Sequence, residues 1–495
     1  MGREDQIIGE RIRKIKELKK QGINPYPNKF DKKQTCKDAL KSKIGAKVKT
    51  AGRIVTSRDL GRIAFSKLRD GTGDIQIVLQ DGQTPDEVRT FFKKYVDVGD
   101  FVGVDGKIFK TKTKEISILV SKIEILSKSI LPLPEKFHGI KDEDERLRKR
   151  YLDLVMNSEV RELFEKKAIF WGTIRNFLLD KGFTEVETPI LETSAGGAAA
   201  TPFKTHHNAL DMDVFLRISM GELWQKKLMV AGYEKTFEIG RQFRNEGMDA
   251  EHLQDYTQME FYWGYANYED GMKLVEEMYK KAAKAVLGSL KFESGGYKID
   301  LGKKWEIYDY EKLIEKHTGI KIYEADEKKI KRKLEELKVK YDAVNNKWRL
   351  VDVLWKYCRK KLSGPGFLTG QPVEITPLAK RNPDDPRKVQ QFQVILGGSE
   401  MGNGYSELND PIDQEDRFKE QRKLKESGDS EAHEHDESFV EALKYGMPPT
   451  CGFGVSERLF SFLMNKPIRE CVIFPLMKPE IETKKEKPKE KNKEK

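Results

Sequence analysis

The chain has 495 residues, 38% of them hydrophobic and 35% charged, with a formal net charge of +11. That length calls for more than one domain, and that composition points to a soluble, highly charged globular protein. No apolar run approaches the roughly 20 residues needed to span a bilayer, and the opening MGREDQIIGERIRKIKELKK lacks a signal-peptide core, so a cytoplasmic protein is expected.

The positive charge is uneven. Residues 1–50 hold 15 Lys and Arg against 6 Asp and Glu, the tail 484–495 holds 7 Lys against 3 Glu, and the residues between carry a net −2. A basic N-terminus suits a polyanion such as nucleic acid, and a solvated basic helix explains it equally well. Four cysteines (Cys36, Cys358, Cys451, Cys471) stand without CxxC spacing, as ordinary thiols rather than a disulfide or zinc framework.

In chain order, Ile7, Ile8, Ile12, Ile15 and Leu18 recur at helical spacing among Arg and Lys, predicting an amphipathic basic helix that lies on RNA or docks on the next domain. From Val48 to Leu126 come five short β-like runs with a helical break near Pro85 to Tyr95, the pattern of an OB-type barrel. Such barrels bind single strands by stacking bases on aromatics, and Phe65 and Gln76 on neighbouring strands are suited to one base; by composition the module fits sugar or protein as well. LPLPEKFHGIKDEDERLRKRYLDL reads as a charge-dense linker, and Glu159 to Leu179 as a second amphipathic helix.

The stretch FEIGRQFRNEGMDAEHLQDYTQMEFYWGY (237–265) organises the rest. Phe237, Ile239 and Phe243 alternate with Glu238, Gln242 and Arg244, and Met259, Phe261 and Trp263 with Gln258, Glu260 and Tyr262, predicting two half-buried strands joined by a long loop. Residues 303–362 look like an insertion, with a charged helix at Glu327 to Lys340 read as a solvated face. Asn403, Tyr405 and Glu407 share one face of a further strand, with Gly402 and Gly404 permitting close packing on the other. AHEHDES (432–438) places His433 and His435 among carboxylates without metal-ligand spacing and reads as a solvated loop. His206 and His207 are expected in a hairpin rather than as catalysts. The tail KKEKPKEKNKEK is low-complexity and expected to be disordered.

Over nearly its whole length the chain resembles a class II lysyl-tRNA synthetase. GRI…DGTGDIQ, LPLPEKFHG…RYLDL, TPFKTHHNALD, FEIGRQFRNEG, TPLAK, MGNGYSELND and PIRECVIFPLMKP carry the likeness, with the three signature motifs matched by GFTEVETPIL, the hairpin and GFGVSERLF. The resemblance implies an α+β multidomain fold: a basic helical extension (1–45), an OB-fold anticodon-binding domain (46–130), a linker (131–150), a class II catalytic domain of antiparallel sheet flanked by helices (151–480), and a tail (481–495). It implies lysine–tRNA ligation with ATP, Mg2+, tRNA(Lys) and L-lysine as ligands, in a homodimer without membrane attachment. It implies that Arg244 and Arg458 are catalytic, and that Glu246, His252 and Tyr256 hold ATP with them. Glu222, Glu260, Tyr262, Asn403, Tyr405 and Glu407 would take lysine, Glu400 and Gln393 the metal, and Arg53, Phe65 and Gln76 the anticodon.

The pattern departs from the family at three places. Gln393 stands where glutamate is expected, RISMGELWQKK is one residue longer than the usual run, and GFGVSER is one residue shorter, with Ser456 in place of glycine. Glu222 reads equally as half of a structural ion pair, whereas Glu407 reads as a ligand group left without an internal partner. Two alternatives stand beside the ligase: a paralogue that lysylates a protein, against which the barrel argues, and a non-catalytic RNA-binding relative, against which Arg244, Glu246 and Arg458 argue.

Overall fold

A computed structural model describes residues 2–134, 142–194, 200–247, 252–341, 346–426 and 436–479, with the side chain of 424 outside the description. The chain divides into two compact units, Met1–Arg146 and Leu147–Lys495. The histidines at 433 and 435 and the lysine-rich tail lie outside the described residues.

In the first unit five strands, β1 (Lys47–Asp59), β2 (Ile63–Asp70), β3 (Gly73–Gln80), β4 (Phe101–Lys110) and β5 (Ile116–Ser127), close into a barrel in the order β1-β2-β3-β5-β4. Ile54, Leu68, Ile75, Ile77, Val102 and Ile118 fill its interior, and closure leaves no sheet edge unpaired. The helix Asp86–Tyr95 falls between β3 and β4, where the sequence breaks its strand pattern. The basic helix Arg3–Lys20 docks on this barrel through one face, which settles one of the two readings of it. Leu18 is buried, and the Arg11 guanidinium donates to the carbonyls of Val98, Ser129 and Leu131 at 2.8, 3.1 and 2.9 Å. Lys14 pairs with Asp97 at 2.7 Å. Buried side chains this polar persist only when every donor finds an acceptor.

The second unit is built on an eight-stranded sheet. Its strands in chain order are β6 (Thr184–Glu185), β10 (Lys235–Phe243), β11 (Asp255–Gly264), β14 (Glu306–Asp309), β15 (Gly366–Thr369), β16 (Gln391–Leu396), β17 (Ser399–Ser406) and β18 (Thr450–Ser456). The intervening numbers belong to two small sheets, β7 (Leu191–Glu192), β8 (Lys204–His207) and β9 (Met212–Leu216) in one, β12 (Lys291–Ser294) and β13 (Tyr297–Asp300) in the other. The spatial order is β14-β15-β16-β17-β18-β11-β10-β6, antiparallel except for the outermost pair at each edge. The antiparallel sheet expected from the resemblance is thus present, with one parallel pair added at each edge.

One face of this sheet is apolar. Phe237, Met259, Phe261, Phe392, Phe453 and Val455 pack against Phe170, Ile174 and Phe177 of the helix Ser158–Asp180 and Val275, Met278 and Tyr279 of the helix Tyr268–Leu287. The latter helix begins at Asn267, whose side chain accepts from the amides of Glu269 and Asp270, and such a cap stabilises a helix by about 1 kcal/mol. Residues 303–362 supply the edge strand β14 and three helices, Tyr310–Thr318, Glu327–Glu336 and Lys347–Arg359, around a core of Tyr310, Ile314, Ile330, Leu334, Leu354 and Trp355. Among the described residues no helix is long and apolar enough to cross a membrane.

Candidate active site

Period-two alternation puts every second residue of β10, β11, β16, β17 and β18 on the sheet's other face, and that face is polar. β10 and β11 pair from Lys235 opposite Trp263 to Phe243 opposite Asp255. The polar face is itself largely buried: Glu238, Gln242, Glu260 and Tyr262 are 5, 0, 6 and 3% exposed. The two strands expected from the alternation thus carry buried and half-buried residues on both faces. Opposite Tyr262 and Glu260 stand Gly452 and Gly454 of β18. A Cβ at Gly452 would fall 2.0 Å from a Glu407 oxygen and 2.7 Å from the Tyr262 ring, so only glycine leaves the floor open. Above this floor lies a cavity of about 490 Å³. All thirteen of the site residues expected in this unit line it.

At one end three carboxylates converge from separate elements. Glu260 lies on β11, Glu407 just past β17, and Glu222 in the first turn of the helix Glu222–Val230. Gly221 precedes that helix with φ 65°, and a Cβ there would sit 2.1 Å from Thr188 Oγ1. The RISMGELWQKK run thus turns at a position that admits only glycine. Glu260 accepts from the Met220 amide at 3.1 Å, Gln258 Nε2 at 2.6 Å and the Tyr262 hydroxyl at 3.0 Å. Tyr405 donates its hydroxyl to Glu222.

Lys226, which sequence reasoning missed, fills the space behind them. Its Nζ donates to Glu222 at 2.9 Å and lies 2.6 Å from Glu407 Oε2, a close ionic contact outside hydrogen-bond geometry. Glu407, expected to lack an internal partner, is in this ion pair. Burial, and then the charge of Glu222, pushes the Glu260 carboxyl up. Burial pushes the Glu407 carboxyl up too, with Lys226 opposing and Glu222 reinforcing it. Burial alone would pull the Lys226 ammonium down, but Glu222 and Glu407 more than offset it and the net shift is upward. Asn403 faces the cavity from β17 and accepts from Gln391 Nε2 at 2.7 Å, while Thr376 holds the other side of that amide at 2.9 Å.

The other end is cationic and more open. Arg244 follows β10 directly; its amide donates to Gln254 at 2.8 Å, its Nε to the Ile218 carbonyl at 3.3 Å, and its guanidinium lies 5.9 Å from the Tyr256 ring. Exposed Glu246 accepts from the Thr201 amide at 3.2 Å. His252 and Tyr256 line the cavity from the far side of the hairpin loop, whose residues 248–251 lie outside the described set. Arg458 opens the helix Arg458–Leu463, and its Nη1 donates to the Glu400 carbonyl at 3.4 Å. The preceding Glu457 is fully buried against Lys167 of the helix Ser158–Asp180, which fixes the turn in GFGVSER.

The Glu400 carboxylate is gripped by residues from 303–362: Trp355 Nε1 donates to it at 2.7 Å and Arg359 pairs with it at 3.1 Å. Gln393 donates to it at 3.4 Å. Among the described residues no group of three or more His, Cys, Asp or Glu is placed to hold a metal by protein ligands alone. One carboxylate and one amide oxygen fit a hard cation only if phosphate and water complete its shell.

His206 and His207 belong to the β8–β9 hairpin, bonded to Asp213 and to the Leu210 amide, and neither lines the cavity. In the barrel, register places Arg53, Arg69, Lys67, Phe65 and Gln76 on one outer face. Arg53 lies 4.2 Å from the Phe101 ring, and Gln76 donates to Ser117 at 2.9 Å.

Comparison with known proteins agrees with this geometry. A family described as tRNA synthetases class II (D, K and N) matches residues 142–478, and one described as OB-fold nucleic acid binding domain matches 48–126. The lysine--tRNA ligases of Thermosipho africanus and Thermotoga maritima are each 42% identical, over 95% of this chain and 95% of their own. That of Carboxydothermus hydrogenoformans is 41% identical over 96% of this chain and 98% of its own.

Proposed function

The chain belongs to the class II lysyl-tRNA synthetases, and we propose that its cavity activates L-lysine with ATP and passes the lysyl group to the 3′ end of tRNA(Lys). The observation that carries this reading is the charge of the cavity. Its closed end gathers Glu222, Glu260 and Glu407 around one internal lysine, and its open end presents Arg244 and Arg458. A ligand with two ammonium groups and one carboxylate matches that polarity. A carboxylate–ammonium contact at 4 Å is worth about 4 kcal/mol at an effective dielectric of 20, enough to reject neutral and acidic amino acids.

In activation, a lysine carboxylate oxygen attacks the α-phosphorus of ATP, the new acyl–phosphate bond forms, and the bond to pyrophosphate breaks. In transfer, the terminal ribose hydroxyl attacks the acyl carbon and AMP leaves. Neither step needs a protein nucleophile, so the work is positioning and charge compensation. Arg244 bridges the lysine carboxylate and the α-phosphate. Arg458, Glu246, His252 and Tyr256 hold the nucleotide. Glu222, Glu260 and Glu407, assisted by Tyr262, Tyr405 and Asn403, receive the amines. Mg2+ bound by Glu400 and Gln393 would neutralise phosphate charge.

The barrel face of Arg53, Phe65 and Gln76 is proposed to read the anticodon, Phe65 by stacking. A homodimer is proposed on the likeness of GFTEVETPIL to the motif that builds the family interface, and exposed Ile190 and Leu191 within it supply apolar surface. Four buried free cysteines suit a reducing cytoplasm.

The test is charging. The chain should attach lysine to tRNA bearing a lysine anticodon. Lysine-dependent ATP–pyrophosphate exchange without any tRNA charging would move the acceptor to a protein.

A further inference from the structure

Behind the lining of the acidic end sits a cation for which the two reaction steps have no use. Lys226 is 1% exposed and does not line the cavity. It stands one helical turn after Glu222, so both side chains leave the same helix face. Its Nζ lies 2.9 Å from Glu222 and 2.6 Å from Glu407, and 5.9, 5.5 and 5.6 Å from the ring centres of Tyr262, Tyr405 and Phe439. A buried ammonium is costly unless it is paired, and removing its partners or removing it leaves uncompensated charge.

Three carboxylates in one closed space repel one another, and like charges so confined do not all ionise. With Lys226 among them and a diammonium ligand bound, three ionised carboxylates would face three ammonium groups, and the charges balance. We propose that Lys226 is the resident counter-ion of the cavity, a positioning residue that fixes Glu222 and Glu407 in place and sets the charge offered to the two amines of the substrate. The proposal rests on the lysine reading of the cavity and adds to it a residue that never touches substrate.

The groups that face Glu407 are Lys226 and Glu222 from the helix, Glu260 and Tyr262 from β11, Tyr405 from its own strand, and Cys451 from β18. Lys226 is the one cation among these groups. Its loss therefore raises the proton affinity of the carboxylates and empties the cavity of negative charge near neutral pH.

The experiment is the pH dependence of kcat/KM for lysine in ATP–pyrophosphate exchange, which reports groups of the free enzyme. In Lys226→Met the acid limb should move up by about one pH unit or more. The lysine KM at pH 7 should rise about tenfold or more while the ATP KM stays within about twofold, since an opposite charge at this range is worth one to three pH units. Lys226→Arg should leave the limb near its original position. A folded Lys226→Met with an unmoved limb overturns the proposal.

If Lys226→Met does not fold, Glu222→Gln is compared with Glu222→Gln/Lys226→Met, in which fewer buried charges are left uncompensated. The double variant should show the higher limb, and coincident limbs overturn the proposal. An unaltered chain without lysine-dependent exchange would sink the lysine reading separately. The same carboxylates are then read from thermal unfolding against pH, where an identical profile with and without Lys226 overturns the counter-ion role.

Discussion

The two ends of the cavity are built on opposite principles. At the acidic end Glu222, Glu260, Glu407 and Tyr262 are all under 10% exposed, the three carboxylates come from separate elements, and all four are held by contacts within the protein. At the cationic end Glu246 and His252 are exposed, and Arg244 and Arg458 are half-buried. The difference separates recognition from chemistry. On the proposed reading, discrimination among amino acids rests on carboxylates that the fold has already placed, since a buried carboxylate calls for a cation within reach. On the proposed assignment the cationic end is where phosphates would bind, their charge offset by Arg244 and Arg458.

If the ends are separable in this way, altering one should leave the other alone. The largest effect is expected at Arg244: Arg244→Ala should lower kcat of lysine-dependent exchange by about 10²–10³, the usual cost of one transition-state donor, with little change in thermal stability. Next comes Glu407→Gln, expected to raise the lysine KM by about 10- to 100-fold, the worth of a charged hydrogen bond, while the ATP KM stays put. Equal rises in both constants would break the division.

A smaller effect is expected from Gln393→Glu. A second carboxylate beside Glu400 should lower the Mg2+ concentration for half-maximal exchange by roughly three- to tenfold, because ligand charge tunes affinity for hard cations. An unchanged Mg2+ dependence would remove Gln393 from the metal.

The smallest effect is on stability. Glu260 and Glu407 are raised from an ordinary 4.5 to about 7 and about 8. Carboxyls raised on folding stabilise the protein below pH 4.5, and that contribution is lost as pH rises through 7 and 8. The ligand-free protein should therefore lose roughly 2–4 °C of melting temperature per kcal/mol between pH 6 and 8.5. Lysine should restore it, giving a larger ligand-induced rise at the higher pH. A lysine shift that shrinks with pH would contradict the acidic end as described.

Much of this was legible in the sequence, for stated physical reasons. Strict alternation around Phe237 and Met259 exposed both hairpin strands, because a sheet with one apolar and one functional face writes itself with period two. Five short runs with one helical break marked the barrel for the same reason. The basic N-terminal helix could not be assigned from its pattern, since an amphipathic stripe does not say what it packs against. Arg11 reaching three carbonyls is a tertiary fact.

The site residues missed were those that act across the chain. The resemblance assigns Glu222 and Glu407 to lysine but leaves Lys226 out, because Lys226 takes its place by pairing with Glu222 one turn away and with Glu407 from a distant strand, and no local pattern joins the three. The resemblance assigns Glu400 to the metal together with Gln393, and the contacts it receives from Trp355 and Arg359 of the 303–362 segment leave no local trace in the sequence. That segment thereby reaches a residue lining the cavity.

The most direct measurement of the central claim is ATP–pyrophosphate exchange across a panel of amino acids at fixed ATP and Mg2+. A cavity with three buried carboxylates and one internal cation predicts exchange with lysine, orders of magnitude less with methionine and glutamine, and none with aspartate or glutamate. Exchange driven by aspartate or asparagine, with lysine silent, would contradict it.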